Sequence, residues 1–571
     1  MFKTLFISSL LSVFCVVSCC FAQHTEHTGN WTGTLPEKDS FQFSVSVSDL
    51  GSNRYRLVIA NTNILSDRIL TSSGTDNIEL LSSDGLYLNL HKNETNAALE
   101  GFIRSGRLIF GITLQNVIER TYEGTWNPFM FNDGLISDDI MLYYEETDDS
   151  GFVAYPSFGD HRFRGAWASG FIRKDNMLFF TDDNTGFNFR ATVPGDRISL
   201  EILLGDALIT STELVYSGEE WNPTTDPVAI HQNTGTPSRL DDEWPVANIT
   251  DVSIREDELL RLISDVHTGE LVNTHSVLIA RRGQLVFETY FNGFNAHIPH
   301  DLRSASKSIS SAVIGTAIDD GIIKNVDQKL YDFLPESFDY TRDHLKSEIT
   351  LDHLLTMSSG LDVNGLASEG YYQSTDNTKS WLTAVLEAPM IHEAGTYTDY
   401  GSANPFLLGI VLHEQLELPL ETYMHENLFS PLGIRNYVVQ TDDTNEIPYF
   451  GGGMFMTPRD MLKFGQLYLD KGTWNGKRVL SEQWVEESFK KRVQLQDTRD
   501  KNEYGYQWWH DTYRVNGKGI DAIEARGAGG QFIFVIPELE TVVAITSGNF
   551  RNRKGNQPRD ILEKYILPAI E

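Results

Sequence analysis

The chain has 571 residues, of which 40% are apolar and 22% charged, and it carries a formal net charge of −33. This length is several times that of a typical domain, so at least two folded units are expected. The apolar share excludes a chain that is disordered throughout. The acidic excess argues against nucleic acid or an anionic membrane as a partner, because both repel negative charge.

The first residues have the pattern of a secretory signal. Lys3 precedes an apolar run over residues 5–17, and small residues follow it. The run is too short to indicate a membrane span. We predict a signal peptide over residues 1–22, cleaved after Ala22, and export to the periplasm or the extracellular space.

All cysteines of the chain lie in this segment, at Cys15, Cys19 and Cys20. A mature chain would then contain no disulfide, thiol nucleophile or thiolate ligand. Residues 16–19 also resemble a lipobox, so a lipoprotein anchored through Cys19 is the alternative to simple cleavage.

Residues 23–222 read as an all-β domain. Apolar and polar residues alternate over 41–47 and over 55–59, which is the period of a half-buried strand. Many further short strands separated by turn signals predict a sandwich or a barrel.

A weak repeat within this domain predicts two related halves. Tyr122 to Pro128 echoes Tyr216 to Pro223, each with a tryptophan before Asn-Pro. We interpret these tryptophans as core residues. The alternative is stacking on carbohydrate, through which the domain would contact a polysaccharide.

A polar, proline-containing stretch over residues 223–248 predicts a linker. Beyond it, residues 249–571 contain both predicted strands and predicted helices, with the strands at the two ends and the helices between them. This order predicts an α+β domain with an antiparallel sheet flanked by helices. The predicted strands are 276–280, 285–289, 532–537 and 541–546, and the predicted helices are 308–317, 351–357, 406–416, 459–469 and 481–490.

The pattern Ser-x-x-Lys occurs twice, at Ser304–Lys307 and at Ser488–Lys491. The spacing alone carries little information, because a chain of this composition is expected to contain about two such matches by chance. Context separates them. Ser488 lies in a strongly charged helix end, whereas Ser304 leads into the apolar helix 308–317.

Burial of Lys307 would allow this lysine to act as the base for Ser304. A serine hydroxyl needs a base to become a nucleophile. Desolvation disfavours an ammonium and lowers the pKa of lysine, and a spacing of three puts both side chains on one helix face. The helix N-terminus also offers partial positive charge to an oxyanion.

At this point the sequence resembles the serine β-lactamase and penicillin-binding-protein superfamily, in its class C-like branch, over about residues 250–571. The resemblance rests on residues 303–311, 349–361, 452–460 and 504–509. It implies a β-lactamase/transpeptidase-like fold and an acyl-serine mechanism with Ser304 as nucleophile and Lys307 as base.

The second motif of that family is Tyr-x-Asn, a fixed distance before Leu-Leu-Gly. Tyr400 stands at this distance before Leu407 and is therefore expected to shuttle the proton; Tyr397 is the rival. Ser402 occupies the position of the usual Asn, so it is the expected substrate contact there, although the residue type has changed.

The third motif is normally Lys/His-Thr-Gly on the strand that lines the site. We align Ala525-Arg526-Gly527 with it. Ala528 would then supply the second oxyanion N–H beside that of Ser304, and Arg526, Gly527 and Gln531 would contact the substrate. With the Lys/Thr pair missing, either Arg526 binds a substrate carboxylate or the site prefers neutral acyl groups.

No cofactor and no metal site is expected. The Gly-x-Ser-x-Gly elbow of α/β-hydrolases is missing, and proline interrupts the His297–His300 pair. The sequence therefore predicts an exported serine hydrolase acting on an ester or amide of a small molecule or peptide. The alternatives are a catalytically retired binding or scaffold protein of the same fold and a true β-lactamase.

Overall fold

The computed structural model describes most of the chain from residue 28 onward. The predicted signal peptide, including Cys19 and Ala22, lies outside the described residues. The described ranges are 28–35, 41–62, 65–74, 77–83, 85–93, 97–128, 139–147, 151–158, 168–218, 235–240, 242–374, 377–496, 502–550 and 552–570.

The N-terminal part is all-β. Its strands are β1 (Gly29–Thr34), β2 (Phe43–Gly51), β3 (Arg54–Ala60), β4 (Leu65–Thr71), β5 (Ile78–Leu81), β6 (Tyr87–Lys92), β7 (Leu99–Ser105), β8 (Leu108–Ile118), β9 (Thr121–Trp126), β10 (Asp139–Glu146), β11 (Phe152–Phe158), β12 (Ala168–Lys174), β13 (Met177–Asp182), β14 (Asn188–Thr192), β15 (Ile198–Leu204) and β16 (Ala207–Gly218).

These strands form two antiparallel sheets that share one apolar core. One sheet has the order β11-β10-β1-β16-β15-β14-β13-β12, and the other contains β2 to β9. Trp221 of the repeat lies outside the described residues. Its counterpart Trp126 and a further tryptophan, Trp31, lie in this core, with exposures of 3% and 1%. Their rings are therefore not available to stack on a sugar, and a polysaccharide contact stays a prediction for other parts of the domain.

The second domain is built on the sheet β18-β17-β29-β28-β27-β26-β25-β24. Alternate residues of β28 and β29 enter two different apolar clusters, so this sheet is buried on both faces. Its strands and the shorter ones are β17 (Thr274–Arg281), β18 (Gln284–Tyr290), β19 (His300–Asp301), β20 (Tyr437–Gln440), β21 (Met454–Met456), β22 (Thr473–Trp474), β23 (Lys477–Arg478), β24 (Val493–Gln494), β25 (Glu503–Tyr504), β26 (Trp509–Val515), β27 (Lys518–Gly527), β28 (Gln531–Ile536) and β29 (Thr541–Ser547).

Helices cover both faces of this sheet, so the predicted α+β class with an all-β N-terminal domain is confirmed. The helix predicted at 308–317 begins earlier, at Ser306, and is buried almost all round. The helices are α1 (Glu256–His267), α2 (Ser306–Asp319), α3 (Leu351–Leu355), α4 (Glu369–Tyr372), α5 (Trp381–Glu387), α6 (Ala403–Gln415), α7 (Leu420–Met424), α8 (Pro458–Leu469), α9 (Glu482–Ser488), α10 (Gln557–Ile561) and α11 (Leu567–Ala569).

Along the described ranges, no helix combines the length and apolar character that crossing a membrane requires.

The two domains share a sheet. Strand β8 of the N-terminal domain pairs with β20, which pairs with β21, and β21 pairs with β19. Strand β19 ends at Asp301, close before Ser304. The N-terminal domain is thus hydrogen-bonded, strand by strand, to the segment that carries the candidate nucleophile.

Part of the predicted linker is packed. Its described portion, from residue 235, lies against the second domain. Trp244 is buried against Trp474, with ring centroids 5.1 Å apart, and Asp242 accepts a hydrogen bond from buried Arg459 at 2.8 Å. The buried Trp244 ring and the paired Asp242 carboxylate fix this part of the predicted linker against the second domain, so it is not a flexible connection. The domain boundaries themselves remain predictions.

Candidate active site

Ser304 lies in a single 3-10 turn, Arg303–Ala305, that leads directly into α2. Arg303, immediately before it, has a φ of 49°, which is the left-handed region that non-glycine residues rarely adopt. The buried Asp301 carboxylate holds Arg303 there, since it accepts the Arg303 backbone N–H at 2.9 Å. Backbone strain of this kind persists only where the surroundings enforce it, and here it lies directly before the serine.

Lys307 lies in the first turn of α2 and is 1% exposed. Its Nζ is 2.8 Å from Ser304 Oγ and 3.1 Å from Ser402 Oγ, and it also donates to the carbonyl of Gly451. Burial lowers the pKa of Lys307 to about 8, while the Glu369 carboxylate acts in the opposite direction. A lysine with this pKa is neutral in about a tenth of molecules at pH 7 and can accept the serine proton.

A carboxylate that the sequence analysis did not single out faces this pair. Glu369 accepts hydrogen bonds from Ser402 Oγ at 3.2 Å and from the Tyr449 hydroxyl at 2.9 Å. Tyr449 in turn is 2.6 Å, oxygen to oxygen, from Tyr372. The sequence offered no signal for it, because Glu369 lies in a polar segment without a motif or a clear period.

Tyr400 lies beside the lysine. Lys307 Nζ is 5.4 Å from the centroid of the Tyr400 ring, which packs against Trp509 at 5.0 Å. The rival Tyr397 stacks instead on His392, with centroids 4.2 Å apart. The geometry therefore favours Tyr400 over Tyr397 for the proton-shuttle role, which stays a prediction.

The end of β27 lies against the serine turn. A Cβ added to Gly527 would be only 2.1 Å from the carbonyl oxygen of Leu302 and 3.2 Å from the amide nitrogen of Ala305. Only glycine fits this approach. Ala528 follows directly, in the turn between β27 and β28, as the predicted oxyanion role for its N–H requires.

Two of the predicted substrate contacts have other partners. Gln531 is fully buried, and its amide donates to the Ser547 carbonyl at 2.6 Å while its oxygen accepts from the Ser547 N–H at 3.3 Å. It therefore braces β28 against β29, and its role as a substrate contact stays a prediction. Arg526 donates from Nε to Glu524 at 2.7 Å and from Nη2 to Asp511 at 3.1 Å, so two internal carboxylates balance its charge.

The second Ser-x-x-Lys pair has no comparable geometry. The Ser488 hydroxyl is buried and donates to the Trp484 carbonyl of its own helix at 2.7 Å. The Lys491 side chain is 45% exposed and pairs with Glu503 at 2.7 Å. Of the two matches, only Ser304 and Lys307 are brought together.

The structure thus brings together a serine at the head of a buried helix, a buried lysine and an adjoining tyrosine, the groups that an activated serine nucleophile requires. The family model for beta-lactamase matches residues 268–566, and the chain belongs to this family.

Individual proteins resemble about half of the chain. The 6-aminohexanoate-dimer hydrolase of Paenarthrobacter ureafaciens is 26% identical over 329 residues, which are 54% of this chain and 81% of that protein. A family VIII carboxylesterase structure shares 17% identity over 57% of this chain and 98% of its own, with a TM-score of 0.45. The structure of a D-stereospecific amidohydrolase from Streptomyces sp. shares 15% identity over 51% of this chain and 94% of its own, with a TM-score of 0.40.

Proposed function

We propose that the protein is an exported serine hydrolase that cleaves an ester or amide through an acyl-serine intermediate on Ser304. The observation that carries the proposal is the contact of Lys307 Nζ with Ser304 Oγ at 2.8 Å, at a lysine whose pKa burial lowers to about 8. The resemblance to a 6-aminohexanoate-dimer hydrolase supports the hydrolytic assignment. Export is proposed from the pattern of residues 1–22 alone.

In the first step, neutral Lys307, assisted by Tyr400, takes the proton of Ser304 as its oxygen attacks the substrate carbonyl. The backbone N–H groups of Ser304 and Ala528 would stabilise the oxyanion. The proton then passes to the leaving alcohol or amine. Water attacks the acyl-serine in the second step and releases the acid, which restores the Ser304 hydroxyl.

The acyl group of the substrate is proposed to be neutral. Arg526, the residue expected to bind a substrate carboxylate, is held by Glu524 and Asp511. The Glu369 carboxylate beside Ser402 would also repel an anionic acyl group. Both features favour a simple ester or amide over a penicillin.

A substrate panel tests the proposal. We expect turnover of p-nitrophenyl esters or of an amide, little or no turnover of the anionic β-lactam nitrocefin, and a fluorophosphonate adduct that peptide mass mapping locates on Ser304. Retention of the adduct in Ser304→Ala would contradict the nucleophile. Faster turnover of nitrocefin than of the esters would indicate a true β-lactamase. Failure of every substrate and of the label would indicate a retired scaffold.

The pH dependence of the reaction is expected to respond to Glu369. Its charge raises the pKa of Lys307, so Glu369→Gln removes that effect and leaves burial to lower the pKa further. The rising limb of kcat/KM against pH should therefore move to lower pH, by roughly half a unit or more. The neutral glutamine has the same shape and keeps one acceptor oxygen, which can replace one of the two carboxylate oxygens that accept from Ser402 and Tyr449.

The matched control for this variant is Glu414→Gln, at the exposed end of α6, which should leave the midpoint unchanged. A midpoint that moves upward in Glu369→Gln, or moves equally in both variants, would contradict the assignment of Lys307 as the titrating base.

A further inference from the structure

We infer that the N-terminal β domain is a positioning part of the active site, and that Arg107 of that domain holds the loop that carries the Gly451 carbonyl. The inference rests on the proposed function of Ser304 and Lys307. The loop concerned, residues 449–453, is called the glycine loop here. Its Gly451 carbonyl accepts a hydrogen bond from Lys307, so its position bears directly on the candidate base.

Arg107 lies just before β8 in the N-terminal domain, and its side chain extends to the second domain. Its backbone carbonyl accepts from the Thr441 N–H at 2.7 Å, which extends the pairing of β8 with β20. Its guanidinium donates to the carbonyls of Thr441 at 2.8 Å and Asp442 at 3.2 Å. Arg107 is 4% exposed, so these bonds form in a desolvated interface, where losing them is costly. The Asp442 carbonyl would keep the Thr441 hydroxyl as a donor, whereas the Thr441 carbonyl would lose the guanidinium that it accepts from.

The same segment holds the glycine loop. Gln440 accepts the Tyr449 N–H at 2.7 Å and donates its own N–H to the Gly453 carbonyl at 2.6 Å, so both ends of the loop are tied to the end of β20. The Gln440 side chain donates to Asn184 of the N-terminal domain at 3.1 Å. The N-terminal domain thus holds the end of β20, to which both ends of the glycine loop are hydrogen-bonded.

A second contact leads from Arg107 to the carboxylate that faces Lys307. The guanidinium lies over the Trp381 ring at 4.2 Å, and Trp381 packs edge-on against Tyr449 with centroids 5.5 Å apart. Tyr449 donates to Glu369, which accepts from Ser402. Packed rings and hydrogen bonds therefore join the interface to two of the groups that contact Lys307, the Gly451 carbonyl and Ser402.

The experiment uses the full chain and the variant Arg107→Met. We expect kcat for a p-nitrophenyl ester to fall about tenfold, with KM changed less than about twofold, because the machinery is misplaced while the acyl pocket persists. Hydrogen exchange of amides over 440–453 should become faster. Arg107→Lys, which keeps a cation over Trp381, should recover part of kcat, which a general loss of stability would not explain.

Arg104→Met is the matched control. Arg104 also crosses between the domains, but its partners are the Glu421 carboxylate at 3.1 Å and the Asn445 carbonyl at 2.6 Å. It should lower the melting temperature and leave kcat within about twofold. Equal losses of kcat in both variants, or an unchanged kcat in folded Arg107→Met, would overturn the inference.

If Arg107→Met does not fold, Asn184→Ala decides the question, because it removes only the amide contact to Gln440. A folded Asn184→Ala protein with normal kcat and normal exchange over 440–453 would also overturn the inference. Failure of the proposed function gives a different result: the wild type would then carry no fluorophosphonate on Ser304, while the exchange measurement would still report whether the domain holds the loop.

Discussion

Replacement of Lys307 by methionine is expected to abolish turnover without unfolding the protein. Ester hydrolysis should fall by about 10³-fold or more, because a serine hydroxyl without a base attacks poorly. Methionine is of similar length and apolar, so it fits a site that is 1% exposed. Initial-rate kinetics at several pH values, with a thermal melt of the same sample, measure both effects.

The stability of this variant should be equal to or higher than that of the wild type. Burial lowers the pKa of Lys307 to about 8, so the folded state resists protonation of a group that the unfolded chain protonates readily. At pH 7 this lowers the free energy of unfolding by an amount on the order of 3 kcal/mol, a penalty that disappears as pH rises above the unfolded-state pKa. Methionine removes it, while the lost hydrogen bonds to Ser304, Ser402 and Gly451 act against the gain.

Lys491→Met is the control, since Lys491 belongs to the other Ser-x-x-Lys match. Its side chain is 45% exposed and forms one surface ion pair, so both rate and melting temperature should stay close to those of the wild type. Substantial turnover by folded Lys307→Met at neutral pH would rule out Lys307 as the base.

The local parts of the site could be predicted from the sequence, because their signals are local. The apolar run after Ser304 gave the buried helix, and the distance from Tyr400 to Leu407 placed the tyrosine ahead of α6. The closing strands β28 and β29 were predicted to within about a residue for the same reason, since each is a short, continuous apolar run.

The groups that reach Lys307 from elsewhere could not be predicted in this way. Glu369 comes from the short helix α4, and the Gly451 carbonyl comes from a loop whose place depends on the pairing of β20 with β8. Strand partners so far apart in the sequence leave no periodic signal in either segment. The pairing is visible only in the assembled fold.

Gln531 shows why the surroundings of a residue next to a motif are difficult to predict from sequence. In a sheet with one solvated face, alternate residues point outward, and a polar residue at the start of a strand would be expected to face the cleft. Here both faces of β28 are covered, so neither face is open to solvent. The buried amide is satisfied by Ser547, as burial of a polar group requires.

The variant Gly527→Ala is expected to lower kcat/KM by about 10²-fold while the protein stays folded. The added Cβ would lie 2.1 Å from the Leu302 carbonyl oxygen and 3.2 Å from the Ala305 amide nitrogen, so it meets backbone on both sides of Ser304. Either the end of β27 or the serine turn must move, and a displacement of about 1 Å is enough to lose this much rate. Overpacking costs about 1–3 kcal/mol, which a domain of ordinary stability survives.

Gly519→Ala lies on the same strand and provides the comparison. Its Cβ would meet only the Thr512 methyl group, at 3.1 Å, which is the end of a side chain and can move aside. Steady-state kinetics, the rate of fluorophosphonate labelling and far-ultraviolet circular dichroism should therefore separate the two variants: both folded, but only Gly527→Ala slow in labelling and turnover. Equal activity in the two proteins would mean that the end of β27 does not bear on Ser304, and the oxyanion role of Ala528 would lose its geometric basis.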